Sequence, residues 1–172
     1  MENYIITIEN IIRNKIESLN TKYNYEPTIF GINDTKLLDI AHKVRVSQML
    51  EGYIAQVLIG NYPGWEDLGR GHPSKLDCRK LDNSVILELK NKYNTCNCSS
   101  KSKTLECLAE YKVKNPETTC ILGIVNSKVT DKILIKEHEV NGVVVYEVHG
   151  ILKIILNKRY NSIINFVRNL MF

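Results

Sequence analysis

Apolar residues recur at helical spacing through the first twenty positions, where Ile5, Ile8, Ile12, Ile16 and Leu19 share one side of a helix. A second helical stretch, capped by Asn33 or Asp34, carries Leu37, Leu38, Ala41 and Val44. It runs on through Met49, Tyr53 and Val57, with room for a break, to a stop at Gly60. Asn61 to Ser74 is rich in glycine and proline and reads as a loop. Two short strands follow, Lys75–Leu81 and Ser84–Asn91, joined at Asp82-Asn83. A polar loop then leads into a helix near Lys101–Lys114, with Leu105, Leu108 and Ala109 as its buried stripe. Thr118–Val125 is continuously apolar and β-branched, the pattern of a strand covered on both faces. Strand, helix and apolar strand in that order predict a crossover that sets the two strands parallel. Asn141-Gly142 between Ile133–Val140 and Val143–Val148 is a hairpin signal. Ile163, Val167 and Leu170 mark a closing helix. The pattern predicts an α/β fold with a mixed sheet flanked by helices. It fills one domain of residues 1–172, with N-terminal helices in 1–60, a core in 61–126 and a C-terminal hairpin and helix in 127–172.

Composition narrows the class without naming it. The chain is 44% hydrophobic and 24% charged, ordinary values for a globular protein that exclude a mainly disordered or collagen-like chain. No apolar run approaches the roughly 20 residues that span a bilayer. Met1-Glu2-Asn3-Tyr4 lacks the basic region and apolar core of a signal peptide. Five cysteines, at 78, 96, 98, 107 and 120, are an odd number and read as reduced thiols of a cytoplasmic protein. Cys96-Asn97-Cys98 lacks the second ligand pair that a convincing zinc site needs.

Charge is placed unevenly. Lys and Arg number 23 against 19 Asp and Glu, a net charge of +4. Between Cys78 and Lys114 eight basic residues face four acids, so this segment alone accounts for the whole excess. A basic stripe of this kind suits a phosphate-binding face, or a plain solvated lysine surface.

Candidate chemistry lies at the head of that stripe. In Val85-Ile86-Leu87-Glu88-Leu89-Lys90 the strand period puts Ile86, Glu88 and Lys90 on one face. A two-residue turn at Asp82-Asn83 gives strand partners whose numbers add to 165, which sets Asp77 opposite Glu88 with Cβ atoms about 5 Å apart. Facing carboxylates repel unless a cation lies between them, and hard oxygen ligands at that separation suit Mg²⁺. The same triplet also suits a surface ion-pair ladder.

Asp77, a ten-residue gap and Glu88-Leu89-Lys90 match the D-x(n)-E-x-K signature of the PD-(D/E)xK nuclease superfamily. The longer string, Gly71-His72-Pro73-Ser74-Lys75-Leu76-Asp77 and then Glu88-Leu89-Lys90-Asn91-Lys92-Tyr93-Asn94-Thr95, resembles type II restriction endonucleases of the Eco47II/Sau96I kind. Leu76 stands where many members have proline before the Asp, and Lys75 stands where a small residue is expected.

The resemblance implies a restriction-endonuclease-like core. It implies Asp77 and Glu88 as metal ligands, joined by the Leu89 carbonyl, and Lys90 as the residue that orients the attacking water. An N-terminal helix often adds an acid in such folds, and Glu51 is the candidate, because Ile54, Ala55 and Leu58 share its helical face. The DNA-facing set is His72, Ser74, Lys75, Asn91, Lys92, Asn94, Thr95, Ser99, Ser100, Lys101 and Lys103. His72 reads as a phosphate contact or a loop holder, not a catalytic base. The expected activity is Mg²⁺-dependent cleavage of double-stranded DNA at a short site by a homodimer, with a cognate DNA methyltransferase protecting host DNA. The alternatives are a structure-selective repair or junction nuclease of the same superfamily and a non-catalytic nucleic-acid-binding module.

Overall fold

A computed structural model describes residues 2–22, 35–69, 71–92, 98–126 and 132–171. Six strands form one sheet in the order β1-β2-β3-β4-β6-β5. They are β1 (Trp65–Asp67), β2 (Cys78–Lys80), β3 (Val85–Lys92), β4 (Thr119–Asn126), β5 (Leu134–Val140) and β6 (Val143–His149). The helices are α1 (Glu2–Lys22), α2 (Thr35–Gly60), α3 (Cys98–Lys114), α4 (Ile151–Leu156) and α5 (Tyr160–Met171). Among the described residues, no helix is long and apolar enough to cross a membrane.

The sheet is mixed. β1, β2 and β3 are antiparallel neighbours, β3, β4 and β6 run parallel, and β5 returns antiparallel as the edge. α3 makes the crossover between β3 and β4, as the strand–helix–strand order predicts. β2 pairs Cys78 with Leu87 and Arg79 with Ile86, so the partner numbers add to the expected 165. The turn between them is closed by Asp82 Oδ1, which accepts hydrogen bonds from the Ser84 amide at 2.9 Å and hydroxyl at 2.6 Å. Asn141 and Gly142 both have positive φ, 52° and 76°, as a tight hairpin between β5 and β6 requires.

Two apolar layers hold the sheet. On one face Ile8, Ile12, Leu58, Leu87, Val148, Leu156, Ile163 and Val167 join α1, α2, α4 and α5 to the strands. The Tyr4 hydroxyl ties α1 to α2 by donating to the Leu58 carbonyl at 2.9 Å. On the other face Ile86, Cys120, Leu122, Ile124 and Val145 meet Leu105, Leu108 and Ala109 of α3. Alternation along β3 therefore sends Val85, Leu87 and Leu89 to the first layer and Ile86, Glu88 and Lys90 to the α3 side.

The structure corrects the sequence reading in four places. Asn61–Ser74 is not all loop, since Trp65–Asp67 adds a strand beside β2. The strand expected at Lys75–Leu81 shortens to Cys78–Lys80, because Lys75 turns at φ 57°. α2 runs unbroken to Gly60, and Leu37 and Val44 of its early apolar positions are about half exposed. The tail contains two helices, with Asn157 at φ 46° between them. Asn33, Asp34 and Cys96 lie outside the described residues.

Candidate active site

The antiparallel step from β2 to β3 brings Asp77 beside Glu88. The Asp77 amide donates to the Leu87 carbonyl at 2.9 Å, and Asp77 Oδ2 accepts from the Leu89 amide at 2.7 Å. The aspartate is thereby fixed through both backbone and side chain at the end of the short β2. In a strand the amide and carbonyl of one residue point the same way, so the Leu89 carbonyl also faces the Asp77 side.

Lys90, two residues beyond Glu88 on the same face, donates from Nζ to Glu88 Oε1 at 2.6 Å. Glu88 Oε2 is buried and has no hydrogen-bond partner. Burial raises the pKa of Asp77, and the Leu89 amide and Lys90 only partly offset it. Burial also raises that of Glu88, and the Asp77 charge adds to the shift. Two half-buried carboxylates beside one lysine leave negative charge uncompensated. A divalent cation would relieve it.

The donor set fits a hard cation. Two carboxylates and a carbonyl are oxygen ligands of the kind Mg²⁺ takes, with water and substrate phosphate completing its shell. Among the described residues no three His, Cys, Asp or Glu side chains converge into a ready-made metal cage.

An open cleft of about 430 Å³ adjoins Asp77, lined by Gln56, Gly69, Gly71, His72, Lys75 and Leu76. Its rim is held from within. His72 Nδ1 lies 2.7 Å from Ser74 Oγ, Ser74 Oγ accepts from the Leu76 amide at 3.3 Å, and the Lys75 amide donates to the His72 carbonyl at 2.9 Å. His72 and Ser74 thus shape the turn that delivers Asp77. Lys75 is exposed in left-handed backbone, the physical reason a small residue suits this position.

Glu51 stands elsewhere. Its Oε2 accepts from Asn91 Nδ2 at 2.9 Å, and Asn91 Oδ1 accepts from Asn126 Nδ2 at 2.6 Å. Asn91 lies against α2, on the face of β3 opposite Glu88. Glu51 and Asn91 therefore tie α2 to the ends of β3 and β4, and the structure does not bring Glu51 to the acid pair. The α2 residue that does reach this region is Gln56, which lines the cleft and donates to Asp67 Oδ1 at 2.8 Å. Asp67 also accepts from the Gly69 amide at 2.8 Å, and its charge raises the pKa of Asp77 further. Gln56 carries no signal of its own in the sequence, because its partner lies on a three-residue strand too short to show a period.

The remaining candidates divide by place. Ser99 and Ser100 are exposed in the first turn of α3, and Lys103 is exposed one turn on. Lys101 is ion-paired with Glu147 of β6. Asn94, Thr95 and the side chain of Lys92 lie outside the described residues.

A family model described as Eco47II restriction endonuclease matches residues 3–169. No curated protein and no solved structure gives a match.

Proposed function

The chain belongs to the Eco47II restriction endonuclease family, and on that premise we propose that Asp77 and Glu88 bind Mg²⁺ to cut double-stranded DNA at a short specific site. Membership makes the protein a type II site-specific deoxyribonuclease acting on DNA with a divalent metal. The identity of the metal and the residues that hold it are our reading. The observation that carries it is Glu88 Oε2, buried and without a partner beside the half-buried carboxylate of Asp77.

When bound, Mg²⁺ supplies a Lewis acid that makes hydroxide available near neutral pH and offsets charge on the phosphoryl group. Asp77, Glu88 and the Leu89 carbonyl would hold the ion. Lys90, kept in place by Glu88, orients the attacking water and stabilises charge on the phosphoryl oxygens as it grows. The water oxygen bonds to phosphorus as the bond to the leaving sugar oxygen breaks, and a proton passes to that oxygen. A homodimer brings two such centres to the two strands of a palindromic site. A DNA methyltransferase acting on the same site would protect the host.

The test is incubation of plasmid and viral DNA with the protein in Mg²⁺, with and without EDTA. Discrete bands that EDTA abolishes are expected. A smear would mean cleavage without sequence choice, and a gel shift with intact DNA would mean a binding module.

A further inference from the structure

Glu147 occupies the same row of the sheet as Glu88. The row runs Glu88, Leu122, Glu147, Lys136 across β3, β4, β6 and β5. Both carboxylates therefore project on the α3 side, about 10 Å apart at the usual strand spacing. Glu147 is only 3% exposed, yet it is surrounded by basic side chains. Lys101 reaches it from the first turn of α3. His138 Nε2 lies 2.9 Å from Oε2, His149 Nε2 lies 2.7 Å from Oε1, and Lys136 Nζ lies 3.8 Å from Oε1. Burial alone would raise the pKa of this carboxyl, but hydrogen bonds from Lys101, His149 and His138 bring it down to about 2.

Four basic groups from three elements exceed what one carboxylate requires. Two lysines against one glutamate leave a positive charge. The surplus faces outward, since the side chains of Lys101, Lys136 and His138 are 36%, 48% and 27% exposed. It does so on the sheet face that carries Glu88 and Lys90, at the same end of the parallel strands.

We propose that Lys101, Lys136 and His138, gathered by Glu147, form a phosphodiester-backbone site that holds DNA beside the cleavage centre. Phosphates flanking the one at Asp77 and Glu88 would complete the charge balance that Glu147 leaves unfinished. Glu147 is a positioning residue here, and Lys101, Lys136 and His138 are the groups that meet the DNA. The inference rests on the nuclease reading, because that reading brings DNA to this face.

The experiment measures the affinity of a mixed-sequence DNA duplex in EDTA, so that binding is read without cleavage, over a series of salt concentrations. The proteins are wild type, Lys136→Ala, Lys136→Arg, His138→Ala and, as a control on the far face, Lys158→Ala. Each lost phosphate contact lowers the slope of log affinity against log salt by about 0.9. Lys136→Ala should lower the slope by about one and weaken binding several-fold, Lys136→Arg should restore both, and Lys158→Ala should match wild type. A Lys136→Ala slope equal to wild type, or an equal loss in Lys158→Ala, overturns the inference. The two readings fail separately. Mg²⁺-dependent cutting with no slope change in Lys136→Ala and His138→Ala sinks this site and keeps the nuclease. The expected slope changes in a protein that cuts no DNA do the reverse.

Discussion

Asp77 Oδ2 accepts the Leu89 amide at 2.7 Å, an interaction that spans twelve residues of sequence and crosses the gap where β2 ends. The aspartate side chain thus takes the place of a strand partner. It locks its own carboxylate beside Glu88, and it holds the segment Glu88-Leu89-Lys90 straight at the point where the ladder stops. Position and support come from one contact. The site is consequently sensitive to the length and charge of residue 77.

The first expectation separates Lys90 from the other lysines of the basic stripe. Lys90 touches Glu88, whereas Lys103 is exposed on α3. In single-turnover cleavage with saturating enzyme, Lys90→Ala should slow the chemical step by about a hundredfold or more, with little change in affinity. Lys103→Ala should weaken binding and leave the rate on bound DNA nearly unaltered. Weakened binding alone in both variants would place Lys90 in the general basic surface.

The raised pKa values of Asp77 and Glu88 set the sign of a stability effect. A carboxyl whose pKa is higher folded than unfolded keeps its proton longer in the native state, so stability falls as pH rises through the window between the two values. In EDTA at neutral pH both groups carry that penalty. Glu88→Gln should therefore melt higher than wild type by a few degrees. Mg²⁺ should raise the wild-type melting temperature and leave that of Glu88→Gln unchanged. A lower melting temperature for Glu88→Gln in EDTA would contradict the charge balance described for this pair.

Glu147 has the opposite sign. Its pKa is held at about 2, so its contribution to stability is present above the unfolded carboxyl value and is lost as pH falls towards 2. Glu147→Gln should cost about 3 kcal/mol at neutral pH, the scale of breaking a buried ion pair. The gap between the variant and wild type should shrink by pH 3. Thermal melts at the two pH values check both statements, and a gap that stays constant would contradict them.

Gly60 closes α2 against β1 with no room for a side chain. A Cβ there would lie 2.5 Å from Asp67 Cβ and 2.7 Å from its Cα, so backbone would have to move. Gly60→Ala should destabilise the protein by about 1–3 kcal/mol, the usual cost of overpacking. It should also reduce cleavage by displacing β1 and the loop that leads to Asp77. Chemical denaturation and a cleavage assay on the same sample test this, and wild-type values in both would show that β1 yields freely.

Local pattern made much of this architecture legible. The alternation of Val85 to Lys90 assigned both faces of β3, and a two-residue turn at Asp82-Asn83 was enough to set Asp77 opposite Glu88. Leu105, Leu108 and Ala109 marked the buried side of α3. What escaped was non-local. Trp65–Asp67 becomes a strand only because β2 lies beside it, and three residues cannot display a period. Glu51 shares a helical face with buried residues, but that shows only that it points inward. Which strand face it meets depends on how α2 crosses the sheet, and Asn91 is what it finds. The Glu147 cluster draws on residues 101, 136, 138, 147 and 149, which come together only through the order β4-β6-β5. The sequence reading expected Lys101 to contact DNA without seeing the carboxylate that holds it.

The most direct test of the central claim compares wild type with Asp77→Ala and Glu88→Ala on cognate DNA in Mg²⁺, at protein concentrations that give each the same DNA occupancy. The expected result is that binding survives in both variants, tightened by the loss of a negative charge, while cleavage falls below detection. Cleavage within a few-fold of wild type in either variant would contradict the assignment of Asp77 and Glu88 as the metal-binding pair.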